Sequence, residues 1–333
     1  MAAVLSVVVP FHNTEPYLEQ CLDSLAGQTL RELEIVLVDD GSTDDSARIA
    51  RAYTEQDDRF NLLTTPHQGL SAARNAGARH AASGTYLSFA DSDDVVPPGA
   101  YHALVSSLEA SGSDIASGDV RRLDGTGLHP HPRYADVFAA ARTRTHISRD
   151  RSLILDRMVW NKAFRRSFWD DHGFAFTLRQ YEDAPVTVRA HILAGSVDVV
   201  GEVVYHWRIR EAGEPSITQR LYEPDNLAAR MTMMVETGAL IRRMAPELLD
   251  AYQRDMCLGD IRIAMTAMLY GTDEDMARAM GLARAFLSAV GARVLEDLPE
   301  RDRSHLGLLA AGKTGELREE LREELREELR DGL

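Results

Sequence analysis

Residues 86–94, YLSFADSDD, join a short strand-forming run directly to three aspartates. The carboxylates of Asp91, Asp93 and Asp94 repel one another at a strand end unless a positive charge lies among them. Mg²⁺ and Mn²⁺ are hard cations that bind one or two protein carboxylates and complete their coordination with water and phosphate oxygens. The stretch therefore predicts a divalent-cation site that also binds phosphate, with a calcium-like or purely structural acidic turn as the alternative.

Similar strand-forming runs surround this stretch and alternate with segments of helical period. After the first run, Leu18, Cys21, Leu22 and Leu25 recur at positions i, i+3, i+4 and i+7, which indicates one buried helical face. Alternating strands and helices predict an α/β fold with a mostly parallel sheet flanked by helices, and ligands bind at the carboxyl ends of its strands. The predicted strands are residues 4–9, 34–38, 60–64, 86–90 and 113–117.

The pattern changes after residue 117. Residues 118–150 are rich in Gly, Pro and His and indicate a loop, and residues 151–220 interleave aromatic with charged side chains. Residues 224–311 indicate helices with little strand signal. We therefore predict a main domain followed by a helical appendage and a charged C-terminal helix, with the ranges 1–220, 221–311 and 312–333.

The C-terminal stretch, GELREELREELREELRDGL, repeats every four residues. On a helix of 3.6 residues per turn, a four-residue repeat drifts by about 40° per step, so the leucines do not form a heptad seam. We interpret the stretch as a solvated helix, with an oligomerising or docking helix as the alternative. The repeated leucines are Leu317, Leu321, Leu325, Leu329 and Leu333.

Composition limits the classes of function. The formal charge of −15 argues against a nucleic-acid partner, because such proteins need a basic face that releases counterions. Cys21 and Cys257 are the two cysteines, which favours a reducing compartment. No apolar run approaches the roughly 20 residues that span a bilayer. We expect a soluble cytoplasmic protein.

Three motifs are rejected on their context. GLLAAGKT at residues 307–314 matches the phosphate-binding P-loop pattern, but no buried strand precedes it. The first strand–helix turn, PFHNTEP, has no glycine where a dinucleotide fingerprint requires one. HPHP at residues 129–132 has no further ligands at zinc-like spacing, which favours a loop.

VDDGSTDDS at residues 38–46 has two interpretations. Asp, Ser, Thr and Gly all favour turns and helix caps, so the segment can be purely structural. In the functional interpretation, Asp39 or Asp40 lies at a strand end and accepts a hydrogen bond from a nucleobase or ribose. The residues alone leave both interpretations open.

Taken together and in order, the motifs over residues 4–220 resemble the inverting, metal-dependent family-2 nucleotide-sugar glycosyltransferases of GT-A fold. The pairing of DDGSTD with a strand-borne DSD about fifty residues later is the specific part of this resemblance. THISRD, WNKAFRRSFWD and SITQR further resemble actinobacterial glycosyltransferase domains associated with teichoic-acid-like polymer synthesis. The motifs are SVVVPFHN, EIVLVDDGSTDDS, GLSAARNAG, GTYLSFADSDD, VWNKAFRRSFW, YED and VVYHWRIREAGEPSIT.

The resemblance implies a role for individual residues. Asp40 would bond the uracil N–H with Asp39 beside it, and Arg74 would reach the base or the diphosphate. Asp91 would face the ribose and the cation, and Asp93 would ligate the cation, either Mg²⁺ or Mn²⁺. The resemblance also implies a nucleotide-binding half, residues 1–117, and an acceptor half, residues 118–220. Further implied nucleotide contacts are Pro10, His12, Asn13 and Ser92.

His12 departs from the family, which usually has a stacking tyrosine there, so the base contact has less area. Asp183 of YED would be the general base that accepts the proton of the attacking hydroxyl. Several charged and aromatic residues are candidates for diphosphate or acceptor contacts, with surface charge, ion pairing or core packing as their alternative. These candidates are Glu182, Trp160, Lys162, Trp207, Arg208, Arg210 and Ser216, with Tyr181 as a further aromatic candidate.

The resemblance implies transfer of a sugar from a UDP-sugar such as UDP-GlcNAc, UDP-glucose or UDP-galactose. The acceptor would be a hydroxyl of a polymer or lipid-linked precursor, such as a teichoic acid, capsule or exopolysaccharide. A polymer acceptor would bring the protein to the inner face of the cell membrane, and the C-terminal helices would be the route to a homo-oligomer. The main alternative is a catalytically weak nucleotide-binding module that scaffolds a polymer-synthesising partner. A second alternative is a nucleotidyltransferase, but this sequence lacks the glycine-rich, basic loop that such an enzyme has after its first strand.

Overall fold

The computed structural model describes residues 3–81 and 83–330, and the predicted repeat member Leu333 lies outside this range. The chain forms two compact units, Met1–Ser216 and Ile217–Leu333. The three-part division of the chain into domains stays a prediction. Among the described helices, none combines the length and apolar character needed to cross a membrane.

The first unit is built on one mixed sheet in the order β3-β2-β1-β4-β8-β5-β9-β7, with β6 paired to β5. The pairings among β3, β2, β1 and β4 are parallel, as predicted, and so is the pairing of β5 with β9. The strands β4 and β5 each pair antiparallel with β8, so the sheet as a whole is mixed. The strands are β1 Leu5–Phe11, β2 Leu33–Asp39, β3 Phe60–Thr64, β4 Tyr86–Phe89, β5 Ile115–Asp124, β6 Gly127–Pro130, β7 Arg142–Thr145, β8 Lys162–Arg165 and β9 Val197–Arg208.

The loop prediction for residues 118–150 is wrong in part. Strand β5 continues to Asp124, β6 returns as a hairpin, and β7 pairs with β9. Strands β6 and β7 have only four residues each, which is too short for a clear alternation of polar and apolar side chains, so their sequences resemble a loop.

Helices cover the sheet of the first unit because β1 and β2 are apolar along almost their whole length and need cover on both faces. Gly77 lets one of these helices approach closely, since a Cβ there would lie 2.3 Å from Val8 and 2.9 Å from Val38. The helices are α1 Glu15–Ala26, α2 Ser46–Gln56, α3 Leu70–His80, α4 Ala100–Ser111, α5 Arg166–Asp171 and α6 Asp183–Leu193.

The second unit is helical, as the sequence predicts. Its core includes methionines of α7 and α10, such as Met231, Met234 and Met280. The helices are α7 Pro224–Met244, α8 Leu249–Leu258, α9 Asp260–Ala267, α10 Asp273–Leu287, α11 Ala292–Glu296, α12 Glu300–Ala310 and α13 Thr314–Arg330.

The leucines of the α13 repeat become more exposed toward the C-terminal end of the helix. Leu317 and Leu321 are 0% and 8% exposed, whereas Leu325 and Leu329 are 39% and 71% exposed. The 40° drift explains this sequence, because a straight helix turns each successive leucine further from the surface it packs on. The first half of α13 therefore docks within its own unit and the second half is solvated.

Candidate active site

The carboxyl ends of β1, β2 and β4 bring the predicted nucleotide-binding residues together. Phe11 at the end of β1 pairs with Asp39 at the end of β2, so the loops that follow both strands lie side by side. Asn13 has a positive φ of 52°, and its side-chain oxygen accepts hydrogen bonds from the backbone of Thr43 at 2.8 Å. Pro10 is buried within β1 and is paired with Val38 in the parallel ladder.

Asp39 and Asp40 are buried and bonded to backbone. The Asp39 carboxylate accepts from the amide of Ser42 at 2.8 Å. The two carboxylate oxygens of Asp40 accept from the amides of Gln68 at 2.9 Å and Gly69 at 2.7 Å. Both aspartates thus shape the loops at this end of the sheet, and the role of Asp40 toward uracil stays a prediction.

His12 does not lie alone at this edge. Its ring stacks on His67 with centroids 4.1 Å apart, and the Nδ1 atoms of both rings lie within 3.1 Å of the carbonyl oxygen of Asp40. The His67 side chain is 58% exposed, so it offers an open ring face beside the predicted nucleobase position. Sequence reasoning missed His67, although it follows β3 and therefore lies at the same edge of the sheet.

Arg74 of α3 connects two parts of the site. Its guanidinium is 2% exposed and bonds to the carboxylate of Asp91 on one side and to that of Glu182 on the other. Burial and two carboxylates hold this group at the centre of the site as a permanent cation. Both terminal nitrogens of Arg74 are engaged by these carboxylates, and its predicted contact with the base or the diphosphate stays a prediction.

Arginines from the end of β9 hold the DSDD turn. Arg210 donates from Nε to the Asp93 carboxylate at 2.6 Å, and Arg208 donates from Nε to the Asp93 carbonyl oxygen at 2.6 Å. The amide of Arg208 donates to the carboxylate of buried Asp94 at 2.7 Å. Burial and neighbouring carboxylates raise the pKa of Asp94 well above its ordinary value, and burial raises that of Asp93 despite Arg210.

Tyr205 of β9 also contacts the DSDD turn. Its hydroxyl accepts from the amide of Asp91 at 2.8 Å, and its ring stacks on Trp160 with centroids 4.2 Å apart. Ser92 is buried within the same turn. The predicted sugar platform at Trp160 is thus mostly core, and its exposed edge is small.

Glu182 and Asp183 follow each other but differ in environment. Tyr181 adopts a positive φ of 55°, and α6 begins at Asp183. Glu182 is 3% exposed, and burial raises its pKa against the opposing effect of Arg74. Asp183 is half-buried, and burial raises its pKa above the ordinary value.

Lys162 does not lie in the cleft. Its amine has no exposed surface and donates to Asp156 at 2.5 Å, to Asn161 at 2.9 Å and to the carbonyl oxygen of Met158 at 2.7 Å. The predicted contact with diphosphate or acceptor is therefore wrong for this arrangement, because a fully enclosed ion pair is costly to break. Lys162 instead forms a buried ion pair with Asp156, in line with the ion-pairing alternative.

Two other residues predicted to contact the diphosphate or the acceptor are partly exposed. Trp207 is half-buried, and its ring lies 5.8 Å from that of His131. Ser216 is half-buried in residues 209–216, the segment that follows β9. Tyr17 of α1 fixes this segment, since its hydroxyl donates to the carbonyl oxygen of Ala212 at 2.7 Å and accepts from the amide of Glu211 at 3.0 Å.

The carboxylates at the DSDD turn fit a cation that is bound only in part by protein. Within residues 3–81 and 83–330, no three His, Cys, Asp or Glu side chains are grouped so as to enclose a metal ion. Asp91 is 27% exposed and lies close to Asp93, which matches the one or two carboxylates that Mg²⁺ and Mn²⁺ accept beside phosphate and water. The donor set therefore suits such a cation only together with a phosphate-bearing ligand.

A protein-family comparison matches residues 6–173 to the model described as glycosyl transferase family 2. The chain belongs to this family. Within family 2, EpsJ of Bacillus subtilis strain 168, named an uncharacterized glycosyltransferase, is 32% identical over 233 residues, which are 67% of this chain and 65% of EpsJ. EpsH of the same strain is 33% identical over 220 residues, 65% of this chain and 63% of EpsH. The chain thus spans just under two thirds of the length of these two family-2 relatives.

A further family-2 relative is the poly(ribitol-phosphate) beta-N-acetylglucosaminyltransferase TarS of Staphylococcus aureus strain Mu50, 27% identical over 63% of this chain and 36% of TarS. The crystal structure of S. aureus TarS 1-349 in complex with UDP-GlcNAc superposes with a TM-score of 0.76 at 22% identity, covering 97% of this chain and 92% of that one. This likeness shows that the family-2 chain has the GT-A fold with a helical C-terminal region.

Proposed function

We propose that the protein is an inverting glycosyltransferase that moves a sugar from a UDP-sugar to a hydroxyl group of a cell-surface polymer or its precursor. The donor class is UDP-GlcNAc, UDP-glucose or UDP-galactose, and a phosphate-bearing polymer such as a teichoic acid is the favoured acceptor. TarS, with its UDP-GlcNAc complex, and the poly(ribitol-phosphate) beta-glucosyltransferase of Bacillus spizizenii support this choice among relatives.

The contrast between Glu182 and Asp183 carries the proposal. Arg74 engages the buried Glu182, so that carboxylate holds the site together. Asp183 is the more exposed of the pair, begins a helix, and has a raised pKa. A carboxylate with these properties can accept a proton from an approaching hydroxyl, which is the requirement for a general base.

In the proposed step the acceptor oxygen attacks the anomeric carbon of the donor sugar as its proton moves to the Asp183 carboxylate. The bond between that carbon and the diphosphate oxygen breaks, and the electron pair leaves with the UDP. Attack from the face opposite the leaving group inverts the anomeric configuration. Asp93 with Asp91 would hold a divalent cation, Mg²⁺ or Mn²⁺, which supplies Lewis-acid stabilisation of charge on the diphosphate.

The same proposal includes where the protein acts. Cys21 and Cys257 are buried free thiols, which suits the reducing cytoplasm. A polymer or lipid-linked acceptor would place the enzyme at the inner face of the membrane. Homo-oligomerisation through the exposed half of α13 is the corresponding proposal for subunit contacts.

Donor turnover with Mn²⁺ or Mg²⁺ and poly(ribitol phosphate) tests the proposal, with the three UDP-sugars assayed by UDP release and the product anomer assigned by NMR. Asp183→Asn should lower transfer by about 10²- to 10⁴-fold and leave the Kd for UDP unchanged. Asp170→Asn, an exposed carboxylate of α5, is the matched control. Tight UDP binding without any turnover would instead favour the scaffolding module.

The pH profile gives a second test. The base acts when it is deprotonated, and burial raises the pKa of Asp183. Activity should therefore fall on acidification at a higher pH than for an ordinary aspartate. A profile that is flat down to pH 4 would contradict the role of Asp183.

A further inference from the structure

One face of α3 holds the segment that leads to Asp183. Ser71, Arg74 and Asn75 occupy positions i, i+3 and i+4, so their side chains lie on the same side of the helix. Ser71 donates from its hydroxyl to the carbonyl oxygen of Leu178, and Arg74 bonds to Glu182. These contacts join residues more than 100 positions apart in sequence.

Asn75 makes the most complete of these contacts. Its side-chain amide donates to the carbonyl oxygen of Phe176 at 2.8 Å and accepts from the amide of the same residue at 2.9 Å. The side chain thus satisfies both polar groups of one backbone residue, as a neighbouring strand would. Removing the Asn75 side chain leaves the N–H and C=O of Phe176, a residue that is 3% exposed, without these partners.

The backbone of the segment is held by these contacts, while the buried rings of Phe174 and Phe176 pack on Trp169. Residues 172–182, all of which the structure describes, form neither a helix nor a strand. Buried backbone outside a helix or ladder needs other hydrogen-bond partners, and for Phe176 the side chain of Asn75 supplies them. The supporting helix is fixed in turn, since Gly77 lies against Val8 of β1 at a distance that excludes a Cβ.

We propose that Asn75, assisted by Ser71, is a positioning residue that sets the location of Asp183 by fixing residues 176–182 on α3. This inference rests on the proposed role of Asp183 as the general base. Asn75 acts through its hydrogen bonds to the backbone of Phe176, and Phe176 lies seven residues before Asp183 in sequence. Displacement of a catalytic group by about 1 Å can reduce a rate by roughly 10²-fold, so a loosened segment should lower the rate of the chemical step.

The test compares Asn75→Ala and Asn75→Asp with the wild-type full chain. The Asn75→Asp side chain still accepts a hydrogen bond from the Phe176 amide but cannot donate one to the Phe176 carbonyl. The kcat of Asn75→Asp should therefore lie between those of wild type and Asn75→Ala. Asn75→Ala should lower kcat by about 10- to 100-fold with a Kd for UDP within about two-fold of wild type. Arg79→Ala, an exposed residue at the end of the same helix, is the control and should leave both values unchanged.

Hydrogen–deuterium exchange separates the inference from the proposed function. Peptides covering residues 174–183 should exchange faster in Asn75→Ala, whereas β1 peptides should not change. Unchanged exchange in these peptides overturns the inference. Faster exchange also overturns it if kcat is unchanged, or if kcat and the affinity for UDP are lost together. If wild type transfers no sugar, the proposed function fails, and the exchange comparison alone then decides whether Asn75 fixes this segment.

Discussion

Replacing Arg74 by methionine should destabilise the first unit strongly. The substitution keeps the length of the side chain but leaves Glu182, which is 3% exposed, without its cation. Removing one partner of a buried ion pair costs about 3–5 kcal/mol, and the partial exposure of Asp91 favours the lower part of that range. For a unit of this size the melting temperature should fall by about 6–20 °C.

The loss of stability should depend on pH with a definite sign. Without Arg74, burial raises the folded-state pKa of Glu182, so the stability of the variant falls as pH rises through that value. The loss in free energy of unfolding of Arg74→Met relative to wild type should therefore be larger at pH 8 than at pH 5. Arg74→Met/Glu182→Gln removes the uncompensated charge and should recover about 1–2 kcal/mol at pH 8.

Urea unfolding followed by tryptophan fluorescence measures this effect, because Trp160, Trp169 and Trp207 all lie in the first unit. The three rings report on that unit while the helical unit contributes no tryptophan signal. A loss below about 1 kcal/mol at pH 8, or an equal loss in the double variant, would refute the assignment of Arg74 as the buried counter-ion.

Three further predictions concern other parts of the molecule. His67→Ala should weaken UDP binding by about 2- to 10-fold in calorimetry and His67→Phe should restore it, if its open ring face stacks on the base; equal affinities in all three proteins would exclude that contact. Arg210→Gln releases the Asp93 carboxylate and should lower the Mn²⁺ concentration that half-saturates UDP binding by about 2- to 10-fold, whereas a higher concentration would mean that Arg210 supports the ligand. Leu317→Ala should cost about 2–4 kcal/mol by circular dichroism, whereas Leu329→Ala should change stability by less than about 0.5 kcal/mol; similar losses at both positions would contradict the drift of the leucine repeat.

The sequence predicts the parts of the site that lie at strand ends. Asp39, Asp40 and Asp91 end or follow strands that are plainly apolar in sequence, so their arrival at one edge of the sheet follows from the parallel topology. The drift of the leucine repeat is also contained in the sequence, because it depends only on helix geometry. These predictions need no knowledge of distant partners.

The ion pairs of the site could not be predicted in the same way. Arg74 meets Glu182 over 108 positions, and Arg210 meets Asp93 over 117 positions, so both depend on how the later residues of the first unit fold back onto α3 and the DSDD turn. Lys162 resembles a substrate-binding cation in sequence, yet β8 directs its amine toward Asp156 in the core. Charge type alone does not distinguish a buried counter-ion from a ligand contact.

The turning of the leucine repeat away from its unit leaves the later part of α13 without buried leucines, so the ion pairs of Glu324 with Arg301 and His305 are its remaining described contacts there. Beyond Leu321, adding or removing one LREE repeat would lengthen or shorten a solvated rod by about 6 Å without altering a core contact. The number of repeats in this part of the chain can therefore vary between related proteins at little cost in folding. An affinity tag or fluorescent fusion joined after residue 325 should for the same reason leave both compact units unperturbed.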